Sequence, residues 1–317
     1  MRKRVIVSVF MLSMILIFTG CSQQNNASTS AEQDKVINIG YQKNGPLVIL
    51  KSLGTLDERL EKMGYTVEWN EFQAGPLLVE ALNAESIDFG RTGNVPVIFA
   101  QAAGAPFVYI AAGYSKYEGS GILVRKDSDI VQLKDLKGKT IGFSKGSSSH
   151  YLLVKALQKV GLSLDDITSA YLNPGDARVA FEQGTIDAIA VWDPYVASTE
   201  LHSNGKVIAN GEGLTTDRDF FVATKDFQTK HGDVIDVILE ELDSSSKWAN
   251  ENHDKLVELL APILNIDKES IQMSVERRVY GVEEITDAII DEQQEIADIF
   301  YELKIIPEEL NVRDVIN

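Results

Sequence analysis

The stretch IGFSKGSSSHYLLVKALQKVG (residues 141–161) decides how this chain is read. It opens as a short apolar run, turns through three serines and a histidine, and continues as a helix. Leu152, Leu153, Ala156, Leu157 and Val160 share one face of that helix and Gly161 ends it. Earlier in the chain, IGYQKNGPLVILKSLG (39–54) follows the same plan of apolar run, polar turn and apolar helix.

Outward from these two turns the pattern alternates strand and helix. Residues 36–41 suit a buried strand, 46–63 a helix stopped by Gly64, and 66–72 an alternating strand. Gly75 and Pro76 open a second helix, SIDFGRTGN (86–94) makes another strand and turn, and NVPVIFAQAAG (94–104) a third helix. Asn94 is the expected N-cap of that helix, with Pro96 in its first turn. From Lys139 the order repeats: KTIGF, the serine turn and its helix, TSAYLNPGD, ARVAFEQG and TIDAIAVW, with Asp193 and Pro194 starting a further helix. IGYQK matches IGFSK, EALNAESIDF matches AFEQGTIDAI, and GNVP matches WDP, the signature of duplicated βα lobes.

Such alternation predicts an α/β protein with mainly parallel sheets and helices on both faces. Ligands of these sheets bind at strand C-termini beside helix N-termini. Residues 112–121 and 211–219 read as crossings between lobes. The expected division is lobe one over 36–121, lobe two over 122–219, and a mostly helical return to lobe one over 220–317.

The ends of the chain carry a different signal. Arg2, Lys3 and Arg4 precede an apolar run over 5–18, so residues 1–20 read as a signal peptide. Cys21, the only cysteine, follows small residues and lacks an internal disulfide partner, which favours lipidation. Residues 21–35 are polar and small, a flexible tether. The formal charge is −17, which argues against nucleic acid. For an anionic ligand, local donors would have to overcome that field.

Ser147, Ser148, Ser149 and His150 form the main donor cluster, at a strand-to-helix turn where free N–H groups already favour anions. The matching turn in lobe one holds Arg91, Thr92, Gly93 and Asn94. Arg91 is placed to pair an anion bidentately or to take a salt bridge. Trp192 reads as core or as a flat wall of the cleft, and Asp193 as helix cap or ligand contact. Residue 133 is leucine where a phosphate-binding loop ending at 138–140 needs glycine. The four histidines lack metal-ligand spacing, and adjacent Ser149 and His150 point in different directions on a helix. No cofactor, metal or catalytic group is expected.

IGYQ, EFQAGPLLVEALN, SIDFGRTGNVPVIFAQAAGA, DLKGKTIGFSKGSSSHYLLVKALQKVGL and DARVAFEQGTIDAIAVWDPY together resemble the aliphatic sulfonate-binding proteins of ABC importers. The resemblance implies a two-lobed, venus-flytrap periplasmic-binding fold of type II that closes on a sulfonate and delivers it to a permease and its ATPase. It implies cleft donors at Gln42, Thr92, Gly93, Ser148, Ser149 and His150, with Trp192 beside the organic tail; Phe220 is expected to cover alkyl carbons there as well. The reading is thus a monomeric receptor, exported and lipid-anchored at Cys21, serving sulfur supply. Taurine or nitrate-like anions are its nearest alternatives. A pyrimidine-precursor synthase on the same fold is the alternative from another class, and it would need metal-binding cysteines.

Overall fold

The computed structural model describes residues 35–316, of which Val36 onward forms one compact unit. The chain first lays down β1 (Val36–Tyr41), α1 (Pro46–Leu53), α2 (Thr55–Lys62), β2 (Thr66–Glu71), α3 (Gly75–Asn83), β3 (Phe89–Gly93), α4 (Asn94–Ala102) and β4 (Phe107–Gly113). The single helix expected over 46–63 is two helices. Gly54, at φ 72°, donates its N–H to the carbonyls of Leu50 and Lys51, which ends α1 and lets α2 start in a new direction.

A second series follows: β5 (Ser120–Arg125), β6 (Thr140–Phe143), α5 (Ser148–Lys159), β7 (Thr168–Tyr171), α6 (Pro174–Glu182), β8 (Ala188–Trp192), α7 (Tyr195–His202) and β9 (Gly205–Asn210). The chain then returns through β10 (Asp219–Thr224), α8 (Lys225–Lys230), α9 (Gly232–Glu251), α10 (His253–Leu264), α11 (Lys268–Glu276), the short β11 (Val282–Glu283) and α12 (Asp287–Glu302).

These strands form two sheets, ordered β11-β4-β10-β3-β1-β2 and β7-β6-β8-β5-β9. β1 pairs in parallel with β2 and β3, as β6 does with β7 and β8. One reversed strand is inserted in each: β10 between β3 and β4, and β5 between β8 and β9. Both sheets are therefore mixed; β10 and β5 each follow a passage between sheets, and the edge strand β11 also runs antiparallel to β4. The start of the return segment, expected to be helical, contains β10. All six of its residues are buried, because neighbouring strands cover its edges and helices cover both its faces.

The duplication extends to individual contacts. The Asn38 N–H donates to Asp88 Oδ2 and the Thr140 N–H to Asp187 Oδ2, each at 2.7 Å. A Cβ on Gly40 would meet Ile87 Cδ1 at 2.5 Å, and one on Gly142 would meet Ile186 Cδ1 at 2.6 Å. Each glycine lets the isoleucine 47 or 44 residues later lie flat on its strand, so the same sheet-to-helix spacing recurs in both halves. One apolar layer joins β1, α1, α9, α10 and α11 on one face of the first sheet; α3, α4 and α12 cover the other. Helices α5 and α6 cover opposite faces of the second sheet.

Because Asp88 and Asp187 satisfy equivalent N–H groups, alanine at either position should destabilise by a similar amount, about 1–3 kcal/mol. Urea unfolding of the two variants checks this. A large asymmetry between them would contradict equivalent roles.

Candidate functional site

Helix starts converge where the C-terminal ends of the strands from both sheets face each other. A cavity there is lined by Gln42 and Asn44 before α1, Gly75 at the start of α3, and Arg91, Gly93 and Pro96 around the β3–α4 junction. Ser147 and Ser148 at the start of α5, Trp192 at the end of β8, and Lys116 and Asp217 from the two passages between sheets complete it. The lobes touch here: Ser148 Oγ donates to Asn94 Oδ1 at 2.6 Å, and a Cβ on Gly93 would lie 2.4 Å from Ser148 Oγ. Only glycine at 93 permits that approach.

Helices α1, α3, α4 and α5 share an omission. Their N-cap residues, Gly45, Ala74, Gly93 and Ser147, make no side-chain cap hydrogen bond, and none of the four helices carries an acid in its first turn. By contrast, Thr224, Asp267 and Thr286 cap α8, α11 and α12 with their side chains. Uncapped first turns leave backbone N–H groups unsatisfied and the positive end of the helix dipole exposed to the cavity. Four together make a set of donors suited to an anion.

Charged side chains add to this. Arg91 donates to Gln42 Oε1 at 3.2 Å and to the Asn44 carbonyl at 3.3 Å, and pairs with Asp219. Lys116 Nζ lies 2.7 Å from Asp217 Oδ2 and 3.5 Å from Asp219 Oδ1, while Arg278 reaches Asp219 Oδ2 at 3.1 Å. Ser120 Oγ also donates to Asp217. Three cations against two carboxylates leave one net positive charge. Burial alone would raise the Asp219 carboxyl, but Arg91, Lys116 and Arg278 hold it well below the usual carboxylate range.

Several residues predicted from sequence lie on this cavity: Gln42, Arg91, Gly93, Ser147, Ser148 and Trp192. Thr92 is fully buried, with its Oγ1 unpartnered and 2.3 Å from where a Cβ on Gly75 would stand. Arg91 is a salt-bridged residue whose Nε has no partner. Asn94 is the first helical residue rather than the cap; its Oδ1 receives Ser148, and the cap is Gly93.

His150 is not on the cavity wall. Its ring stacks on Phe143 at 5.0 Å and lies 5.3 Å from Phe300, and burial, reinforced by Lys145, pushes its pKa down to about 4. Successive helical residues turn by about 100°, so Ser148 facing the cavity turns His150 to the core. Ser149 is likewise buried, 2.9 Å from Ser147 Oγ. Phe220 lies in the first sheet, edge-on to Tyr109 at 5.0 Å, and not beside the cavity. Asp193 precedes Pro194, the N-cap of α7, and accepts from the Ala197 N–H at 3.0 Å; burial pushes its carboxyl up to about 6 against the pull of Arg277. Cys21 lies outside the described residues.

Sequence reasoning did not select Lys116, Asp217 or Gly75. The two charged residues sit in passages read only as crossings. Trp192 also borders a larger cavity of about 320 Å³, walled by Phe72, Pro174, Tyr195, Leu264 and Ile266 with Lys43, Glu71 and Asp176. The site thus joins a small polar pocket to a roomier one of mixed polar and apolar walls across a single indole. Among the described residues, no group of histidine, cysteine and acidic side chains has the arrangement of a metal site.

A family model for NMT1/THI5 like proteins matches residues 61–255. A Bacillus subtilis (strain 168) protein named as an aliphatic sulfonates-binding protein is 36% identical, over 100% of this chain and 95% of its own. The structure is similar to that of the alkanesulfonate-binding protein SsuA from Xanthomonas axonopodis pv. citri bound to MOPS, with TM-score 0.85 and 35% identity. That match covers 89% of this chain and 98% of the other. The periplasmic aliphatic sulphonate binding protein SsuA from Escherichia coli matches with TM-score 0.83 and 36% identity over 89% and 92% of the two chains.

Asp219→Asn should cost about 3–5 kcal/mol at pH 7, because it leaves the buried Arg91 and Arg278 without their carboxylate while Lys116 keeps Asp217. The folded pKa of Asp219 is depressed, so its stabilisation is complete above the unfolded carboxylate value and lost as pH falls through the folded one. Urea unfolding at pH 7 and pH 3 should therefore show the gap between wild type and variant narrowing in acid. A gap that is constant or grows would contradict the ion-pair account.

Proposed function

Because the chain belongs to the NMT1/THI5 like family, among the aliphatic sulfonate-binding proteins, we propose that it is the exported receptor of an ABC importer for aliphatic sulfonates. The observation that carries this is the convergence of four uncapped helix starts on a cavity with one net positive charge. A sulfonate is a fully ionised tetrahedral anion with no proton to give. Backbone N–H groups, Thr92 Oγ1 and the Arg91 and Lys116 cations supply donors around it, and Trp192 covers the first alkyl carbons. The larger cavity beyond Trp192 takes the rest of the organic group.

The role is binding rather than catalysis. His150 Nδ1 accepts the Gly146 N–H and neither ring nitrogen reaches a serine hydroxyl, so the serine turn has no base. Ligand held between walls from both sheets favours the closed arrangement by its differential affinity for it. Delivery to a permease and its ATPase, and use of the ligand as a sulfur source, follow from this reading. The receptor acts as a monomer tethered through residues 21–35 to a lipid on Cys21, on the outer face of the cytoplasmic membrane.

Thr92→Val tests the anion site. Its Oγ1 is buried and unpartnered, so removing it should leave or slightly raise the melting temperature. It should also weaken 1-butanesulfonate binding roughly tenfold or more, the worth of one charge-assisted hydrogen bond. Trp fluorescence titration reads the affinity; wild-type affinity in the variant would remove Thr92 from the site. For the anchor, Cys21→Ala should move the mature protein from the detergent phase to buffer. Retention of the variant on membranes would contradict lipidation at Cys21.

A further inference from the structure

Away from the anion site, two antiparallel helices clip the lobes together. Helix α11 belongs to the core of the first sheet through Ile271 and Val275, yet it packs on α7 of the second. At one end, His202 Nε2 in the last turn of α7 lies 2.9 Å from Asp267 Oδ2, the N-cap of α11. At the other, Arg277 just past α11 donates to Glu200 Oε2 at 2.5 Å and to Asp193 Oδ1 at 3.5 Å, and Asp193 accepts the Ala197 N–H at the start of α7. Asp267 and Asp193 sit at helix N-termini and His202 and Arg277 at C-termini, whereas Glu200 lies in the last turn of α7 beside His202.

Arg277 is the better placed of the two bases. It is about one-fifth exposed, as is Glu200, and Asp193 is buried, so its bonds are shielded from water. The His202–Asp267 pair is roughly twice as exposed and correspondingly weaker. Arg277 does not line the pocket where Ser148 meets Gly93. It grips Asp193, the residue directly after the Trp192 wall, and so connects the position of that wall to the first lobe.

We propose that Arg277 is a closure residue: by bridging α11 to Glu200 and Asp193 it holds the lobes together and sets how long a ligand is retained, without touching the ligand. The proposal rests on the receptor reading for its ligand and on geometry alone for its closure. Removing the bridge lowers the population of the closed state, and the apparent affinity falls with that population. The loss appears in dissociation, since encounter occurs in the open state.

The test uses the compact unit Val36–Asn317 with Arg277→Gln, Glu200→Gln, the double variant and Arg277→Lys. Small-angle scattering without ligand should give a larger radius of gyration for Arg277→Gln than for wild type. Stopped-flow dissociation of 1-butanesulfonate should be about tenfold faster in each single variant with little change in association. The double variant should match Arg277→Gln, whose loss already includes the Glu200 bond, and Arg277→Lys should recover part of the effect. Identical scattering, unchanged dissociation, or single effects that multiply in the double variant would overturn the proposal. If wild type fails to bind any sulfonate, the receptor reading falls, and scattering alone still decides the closure role.

Discussion

A carboxylate buried against three cations holds the junction between the two sheets. Asp219 opens β10, at the point where the chain re-enters the first sheet, and meets Arg91 from β3, Lys116 from the other passage and Arg278 from beyond α11. Taking four charges out of water is costly unless each is paired, which fixes the geometry of the group. Lys116 also reaches Asp217, and its backbone N–H donates to the Thr216 carbonyl at 3.0 Å, so the two passages are bonded side by side. The lobes are consequently joined by one cross-linked strap rather than by two independent strands. Arg91, held by Asp219, presents its remaining edge to Gln42 and Asn44.

That junction resolves an electrostatic difficulty. A chain of net charge −17 repels anions at long range, but screening limits that repulsion to about 8–10 Å at physiological salt. Inside the cleft the local balance is reversed, with one surplus cation and four helix starts directed at the cavity. Aspartate is not absent there: Asp217 Oδ1 is buried without a partner. That oxygen favours an anion carrying a proton, so preference for a sulfonate over phosphate rests on the Trp192 wall and the larger cavity, which take an organic group that phosphate lacks.

Much of this was legible in the residues. The paired turns at 39–54 and 141–161 carry the duplication, and the structure repeats it down to the Asp88 and Asp187 bonds and the Gly40 and Gly142 contacts. The uncapped helix starts were not read from sequence: Asn94 was expected to cap its helix, where Gly93 stands instead. What the sequence concealed was direction. The serine turn names its donors, but only the helical rotation decides that Ser148 faces the cavity while Ser149 and His150 face the core. DFFVAT (219–224) is too short for periodicity to separate a strand from the helical region after it, so Phe220 was read as a cleft residue. Lys116, Asp217 and Arg278 are far apart in the chain, and their partnership is a consequence of tertiary folding alone.

The most direct test of the central claim is calorimetric titration of the Val36–Asn317 unit with 1-butanesulfonate at pH 7.5. Tris and imidazole serve as buffers, because neither is a sulfonate or an anion and their ionisation enthalpies differ. With His150 neutral and the ligand fully ionised, the account predicts saturable one-site binding with the same enthalpy in both buffers, and tighter binding than inorganic phosphate. Absence of saturable binding, a buffer-dependent enthalpy that reveals proton transfer, or tighter binding of phosphate would contradict it.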